Sequence, residues 1–258
     1  MPMLKTLGRP WLMALLAPIL IVVAPSALVV APTALVFAPP AMAKTPAAAP
    51  AHAAGNWNTK VTRTADDGYI LGNPDAPLHL VAYISYTCPH CAEFEAEAFA
   101  PLSIGMIGPG KGSFEIRPFL RNGLDVMASL LAECGPPSKF FGNTQLLLAT
   151  QREWLEPIGK LTEAQKGRWD SPDFGTKMRA IASDLGLYTI MARRGYERVE
   201  LDRCLADKPL ADRMAKHTQE ASDKEFVNGT PGFLINGVLL TATYDWAALK
   251  PQLDARLH

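Results

Sequence analysis

Tyr86-Thr87-Cys88-Pro89-His90-Cys91-Ala92-Glu93-Phe94 is the stretch from which the rest of the chain can be laid out. An apolar run over residues 78–86 leads into it, and a helix-forming run over residues 92–100 follows. A strand, Cys-x-x-Cys and a helix place the first thiol at a helix N-terminus, where unpaired backbone N–H groups and the macrodipole favour an anion. A thiolate is such an anion, and it is the form of cysteine that attacks disulfides. Cys88 is therefore the expected nucleophile. Cys91, three residues on and deeper on the same helix face, is the expected partner thiol. Pro89 suits the first helical position, where its missing N–H costs nothing. His90 can donate to the Cys88 thiolate, or sit near it as a cation, and so lower its pKa. The competing readings of the pair are a structural disulfide and half of a zinc site. Zinc needs two further ligands in a compact pattern, and His52, His79, His217 and His258 do not form one. A c-type haem attachment needs His straight after the second Cys, where Ala92 stands. Neither a metal nor a cofactor is expected.

With 258 residues the chain can bury a real core as one large domain or two small ones. Basic and acidic residues number 25 each, so no basic excess argues for nucleic acid. Lys5 and Arg9 form a basic start, and no charged residue follows over residues 11–43. Ala41-Met42-Ala43 then matches a small-x-small cleavage site before Lys44, the pattern of a secretory signal peptide. Its apolar region is lengthened by Ala-Pro at 17–18, 24–25, 31–32 and 38–39. The alternative is an uncleaved membrane anchor, against which prolines weigh at roughly 3 kcal/mol each in a helix interior. Export places the thiols in an oxidising compartment, and periplasmic localisation is expected. Four cysteines allow three pairings, and the two-residue gap makes Cys88 and Cys91 the local pair.

Residues 45–58 are rich in Ala and Pro and read as a flexible leader. Residues 70–77 are turn-dense, and the apolar strand is expected over 78–85. The first helix is expected to end near Pro101, with a glycine-rich loop over 103–113. Residues 114–120 alternate and favour β structure. From Leu124 to about Phe226 apolar residues recur at helical spacing, as in Leu124, Met127, Leu130 and Leu131. Breaks are expected at Gly135-Pro136-Pro137, Pro157-Ile158-Gly159 and around Ser171-Pro172. Phe233-Leu234-Ile235, Asn236-Gly237, Val238-Leu239-Leu240 then reads as a hairpin on a two-residue type I′ turn. Asp245 is placed to cap a last helix over 246–257. The order is βαβ, a helical block, ββα: a small α/β domain interrupted by a helical insertion.

Cys-Pro-His-Cys after an entry strand, a helical insertion, and Gly229-Thr230-Pro231 before a hairpin and final helix together resemble the DsbA-like thiol:disulfide oxidoreductases of the thioredoxin superfamily. The resemblance covers about residues 67–258. It implies a thioredoxin-like fold over 67–120 and 227–258 with a helical insertion over 121–226, following the signal peptide read over 1–43 and a leader over 44–66. It also implies that Pro231 is cis beside Cys88, where the Thr230 backbone pairs with a substrate peptide and Pro89 lines the same site. Cys88 would attack or be attacked, Cys91 would resolve the mixed disulfide, and His90 would stabilise the thiolate. Cys134 and Cys204 fall at the two ends of the helical block, as in a subset of relatives with a second, structural disulfide. Closing that loop would stabilise by roughly 4 kcal/mol; the alternative is two buried free thiols.

Two positions depart from the family pattern. Many relatives carry a buried acid six residues before the first cysteine, where this chain has Ala82. Thr230 matches the isomerase branch, whereas the best-known oxidases have a branched aliphatic residue there. Glu93, Glu95 and Glu97 read as a solvated helix face. Tyr86, Phe94 and Phe233 are candidates for an apolar rim, with core packing the alternative for Phe94. The resulting expectation is an exported monomeric oxidase. It would donate its Cys88–Cys91 disulfide to unfolded exported polypeptides and be regenerated by a DsbB-like membrane quinone reductase. The alternatives are a disulfide isomerase or reductase, whose isomerase members usually carry an added dimerisation domain, and a thiol-based copper-binding chaperone.

Overall fold

The computed structural model describes residues 56–257; the expected signal peptide and most of the leader lie outside them. One mixed sheet organises the described chain. Its strands are β1 (Val61–Arg63), β2 (Tyr69–Gly72), β3 (Leu78–Ile84), β4 (Gly112–Pro118), β5 (Gly232–Ile235) and β6 (Val238–Leu239). They lie in the order β1-β2-β4-β3-β5-β6. Only β3 and β4 pair in parallel, and the helix α1 (Pro89–Leu102) connects them, as the βαβ reading requires. β3 is central and covered on both faces, which is why it reads as an almost unbroken apolar run. The period of two sorts its side chains. Leu80, Ala82 and Ile84 face the main core with α1, and Val81 and Tyr83 face a smaller cluster with Ala221 and Val227.

The helical block is α2 (Gly123–Ala132), α3 (Phe140–Ala149), α4 (Gln151–Leu155), α5 (Glu163–Trp169), α6 (Phe174–Asp184), α7 (Leu187–Ala192), α8 (Arg198–Leu205) and α9 (Lys208–Lys224). The breaks fall where proline and glycine placed them. Pro137–Lys139 and Glu156–Lys160 are short 3₁₀ turns, and Ser171-Pro172 separates α5 from α6. After the block, Asn236 and Gly237 take φ of 50° and 78°, the positive pair that a type I′ turn demands. Asp245 caps α10 (Trp246–Asp254) by accepting from the Ala248 N–H at 2.8 Å.

Three local expectations are corrected. The leader does not run to residue 66: β1 pairs antiparallel with β2, Val61 opposite Leu71, so the sheet begins inside it. Asp67 fixes that hairpin, with Arg63 at 2.7 Å and Arg213 of α9 at 3.0 Å, contacts no local pattern announces. Second, the turn-dense stretch after residue 70 begins with the buried strand β2, because Tyr69, Ile70 and Leu71 are apolar enough to pair with β4. Third, residues 103–107 are not loop but a π-helical extension of α1, closed by Gly108 N–H to Ser103 C=O at 2.9 Å. Gly112, where β4 begins, is needed for packing: a Cβ there would lie 2.5 Å from the Met106 side chain.

Candidate active site

β3 ends at Ile84 against the start of α1, and the turn between them carries the first thiol. Cys88 is the N-cap of α1 with extended backbone (φ −87°, ψ 119°), and Pro89 is the first helical residue. Both thiols are free; Cys88 is 3 % exposed and Cys91 is fully buried. The Thr230–Pro231 peptide is cis, and Pro231 is buried. When protonated, Cys88 Sγ donates to the Thr230 carbonyl at 3.1 Å. When ionised, it accepts from the Thr230 hydroxyl, which has no other protein partner among the described residues.

These contacts drive the two thiols apart. Cys88 is lowered from 9.0 to about 5, first by the hydrogen bond from the Cys91 thiol, against the opposing effect of burial. The Thr230 hydroxyl and the backbone N–H groups of Cys91 and His90 add to it. Cys91 is pushed well above its ordinary value, first by burial and then by its role as donor to Cys88. At neutral pH the pair is one thiolate at the helix cap and one more deeply buried thiol, the asymmetry that directional exchange needs.

His90 is placed differently from the expectation. Its ring Nδ1 lies 3.1 Å from Glu93 Oε2, with both side chains largely exposed. Only its backbone N–H supports the Cys88 anion, because a helix start aims main-chain donors, not side chains, at the cap. Tyr86, Phe94 and Phe233 form no rim. All three are buried, and Phe94 packs on Phe233 at 4.7 Å between ring centroids. Nor are the three glutamates one solvated face: Glu93 and Glu97 are exposed, but Glu95 is only 7 % exposed. Burial raises Glu95 to about 7, against the Gln145 amide that hydrogen-bonds to it. Alternation along a helix repeats every 3.6 residues, so Glu95 shares the buried face of Cys91 four residues earlier. Ala82 is buried at the core face of β3, so no acid stands six residues before Cys88.

Two buried polar residues at the site carry no motif. Asp125 in the first turn of α2 accepts from Ser85 Oγ and Thr87 N–H, each at 2.9 Å. Gln151 of α4 donates to the Tyr86 and Cys88 carbonyls, each at 2.8 Å. Both come from the helical block and reach back to the turn before Cys88. An acid at a helix start and an amide beside Thr150 are ordinary residues in sequence, so only their tertiary partners single them out. The block carries a disulfide of its own: Cys134, just past α2, is bonded to Cys204 of α8, 70 residues away.

Comparison with known proteins agrees with this geometry. The family model described as Thioredoxin matches residues 64–255. A crystal structure described as a protein-disulfide isomerase from Novosphingobium aromaticivorans is 48 % identical, with a TM-score of 0.72, covering 76 % of this chain and all of that one. Alpha-DsbA1 of Wolbachia pipientis shares the fold at 20 % identity, with a TM-score of 0.58 over 73 % of this chain and 89 % of its own. A protein of Rickettsia prowazekii named as a protein-disulfide oxidoreductase is 31 % identical over 202 residues, 77 % of this chain and 65 % of its own length. One of Rickettsia bellii with the same naming is 27 % identical over 201 residues, 68 % of its own length. The chain thus spans about two thirds of these curated relatives. The chain belongs to the thioredoxin family, among its thiol:disulfide oxidoreductases.

Proposed function

We propose that the protein is an exported oxidase that passes its Cys88–Cys91 disulfide to folding proteins and is reoxidised by a DsbB-like membrane quinone reductase. The observation that carries the direction is the opposed ionisation of the two thiols. At pH 7, lowering Cys88 from 9.0 to about 5 favours the reduced form by roughly 3 kcal/mol. That is about 60 mV of oxidising potential relative to an unperturbed pair.

The exchange runs in two displacements. A client thiolate attacks Cys88 Sγ, forms the mixed disulfide and releases Cys91 sulfur, which takes up a proton because burial disfavours its anion. The second client thiolate then attacks the client sulfur of the mixed disulfide and releases Cys88 as a thiolate, a low-pKa leaving group. Two electrons pass from client to enzyme, and the client gains the disulfide. The Thr230 main chain beside Cys88 would pair with the client backbone during both steps.

The test is the reduction potential of the pair in equilibrium with glutathione. An oxidase requires a value well above that of thioredoxin, about −270 mV; a value near it would replace this reading by a reductase. Isomerisation is the second reading, favoured by Thr230 before the cis proline and by the description of the 48 %-identical relative. Recovery of activity from a scrambled disulfide substrate, without net oxidation, would select it. Export itself is tested by recovering the mature N-terminus: a start at Lys44 supports cleavage, and retention of residues 11–43 supports an anchor.

A further inference from the structure

Ser85 sits between the thiol pair and the helical block, and each of its polar groups has a separate task. Its C=O accepts the Cys88 N–H at 3.1 Å, and its N–H serves the Cys91 sulfur. Its hydroxyl goes to both carboxylate oxygens of Asp125, at 2.9 and 3.0 Å. Asp125 also takes the Thr87 N–H at 2.9 Å and the Arg121 N–H at 2.9 Å. Asn122 closes the ring: its Oδ1 accepts the Asp125 N–H at 3.0 Å, and its Nδ2 donates to Thr87 Oγ1 at 3.0 Å. Thr87 Oγ1 in turn lies 3.1 Å from Ser85 Oγ.

We propose that Asp125 is a positioning residue for the thiol pair, holding residues 85–87 so that the Ser85 N–H stays on the Cys91 sulfur and Cys88 stays at the start of α1. Three features support this over a simple loop staple. Asp125 is completely buried and faces only donors, so a carboxylate fits where an amide would set its NH₂ against a backbone N–H. No lysine, arginine or histidine pairs with it among the described residues, so its compensation comes from the first turn of α2 and the turn before Cys88. The segment it holds, residues 85–87, ends next to Cys88, and Asp125 reaches it at Thr87 across 38 residues of chain. Asp125 touches neither sulfur; it acts through Ser85 and Thr87.

The inference rests on the exchange reading of Cys88 and Cys91, but its test reads ionisation directly and does not need a client. In Asp125→Asn the Cys88 pKa, followed by thiolate ultraviolet absorbance, should rise by about one unit, because the lost hold on residues 85–87 outweighs the removal of a nearby negative charge; a fall in that pKa overturns the proposal. Alkylation at pH 5 should then slow about fivefold, and the glutathione equilibrium at pH 7 should move about tenfold toward the disulfide. Ser85→Ala should move the same readings in the same direction by a smaller factor. Leu147→Ala, a core truncation in α3, controls for stability: it should lower Tm and leave the Cys88 titration at its wild-type midpoint. An Asp125→Asn protein with lowered Tm but an unchanged Cys88 titration and glutathione equilibrium overturns the proposal. If that variant does not fold, Ser85→Ala decides alone, and an unchanged titration there overturns it. A wild type that titrates as described yet exchanges with no disulfide would instead defeat the exchange reading.

Discussion

Gln151 and Cys88, 63 residues apart, are joined by a hydrogen bond from the Gln151 amide to the Cys88 carbonyl at 2.8 Å. The same nitrogen serves the Tyr86 carbonyl at 2.8 Å, so one buried side chain of α4 spans the turn that carries Cys88. Cys88 C=O keeps the Cys91 N–H at 3.2 Å without it, but the Tyr86 C=O has no second donor among the described residues. Gln151→Leu should therefore leave one buried acceptor unsatisfied and cost about 1–3 kcal/mol. Thermal unfolding should show a Tm lower by about 3–10 °C; an unchanged Tm would mean that water replaces the amide.

The ionisation of Cys88 predicts how the potential responds to pH. A thiol lowered from 9.0 to about 5 stabilises the reduced protein fully above pH 9, and that advantage is lost as pH falls through 5. Between these limits reduction takes up one proton, at Cys91, and the potential should fall by about 30 mV per pH unit. Below pH 5 both sulfurs take up protons and the slope should double to about 60 mV. A potential–pH curve with its break near 9 would show that Cys88 is an ordinary thiol.

His90 is expected to contribute little through its ring. The ring is paired with Glu93 in solvent, and such exposed pairs are worth about 0–1 kcal/mol. Alanine retains the backbone N–H that faces Cys88, so His90→Ala should shift the Cys88 titration by about half a unit or less. A shift of several units would show the ring turning onto the thiolate in solution.

Glu95 makes the opposite kind of pH prediction. Its folded value of about 7 lies above the ordinary 4.5, so the native state holds the proton longer than the unfolded chain. Stability should then fall as pH rises from about 4.5 to 7 and level off above. Glu95→Gln removes that loss and should stabilise the protein by up to about 3 kcal/mol at pH 8, with no gain at pH 4. Paired melts of variant and wild type across that range provide the check; equal gains at both ends would assign the effect to packing.

The Cys134–Cys204 disulfide ties α2 to α8 and is separate from the reactive pair. Replacing both cysteines with alanine should lower stability by roughly 4 kcal/mol on the chain-entropy account. The Cys88–Cys91 potential should not move. Denaturant unfolding and the glutathione equilibrium test the two halves of that statement independently.

Much of the fold was legible because its signals are local. Cys-Pro-His-Cys after an apolar run marks a helix start with a thiol at its cap, and Asn236-Gly237 marks a type I′ turn. The period of the apolar residues separated sheet from helical block, and the breaks at Gly135-Pro136-Pro137 and Ser171-Pro172 fell where they were expected. Misreadings arose where a glycine or alanine count stood in for packing. Residues 103–107 continue α1 as a π turn, and β1 lies beyond the Ala/Pro-rich stretch but inside the leader expected over 44–66.

By itself the sequence determined which two cysteines lie together at a helix start, which one caps that helix, and which domain pattern surrounds them. These depend on neighbours within a few residues, whose backbone preferences act over one turn or one strand pair. Tertiary structure decided the rest: that Asp125 and Gln151 grip the turn before Cys88, that Glu95 is buried while Glu93 and Glu97 are not, and that His90 faces Glu93. Whether a polar side chain is a surface charge or a buried hydrogen-bonding hub is set by what packs over it. At this site that covering chain comes from helices more than thirty residues downstream.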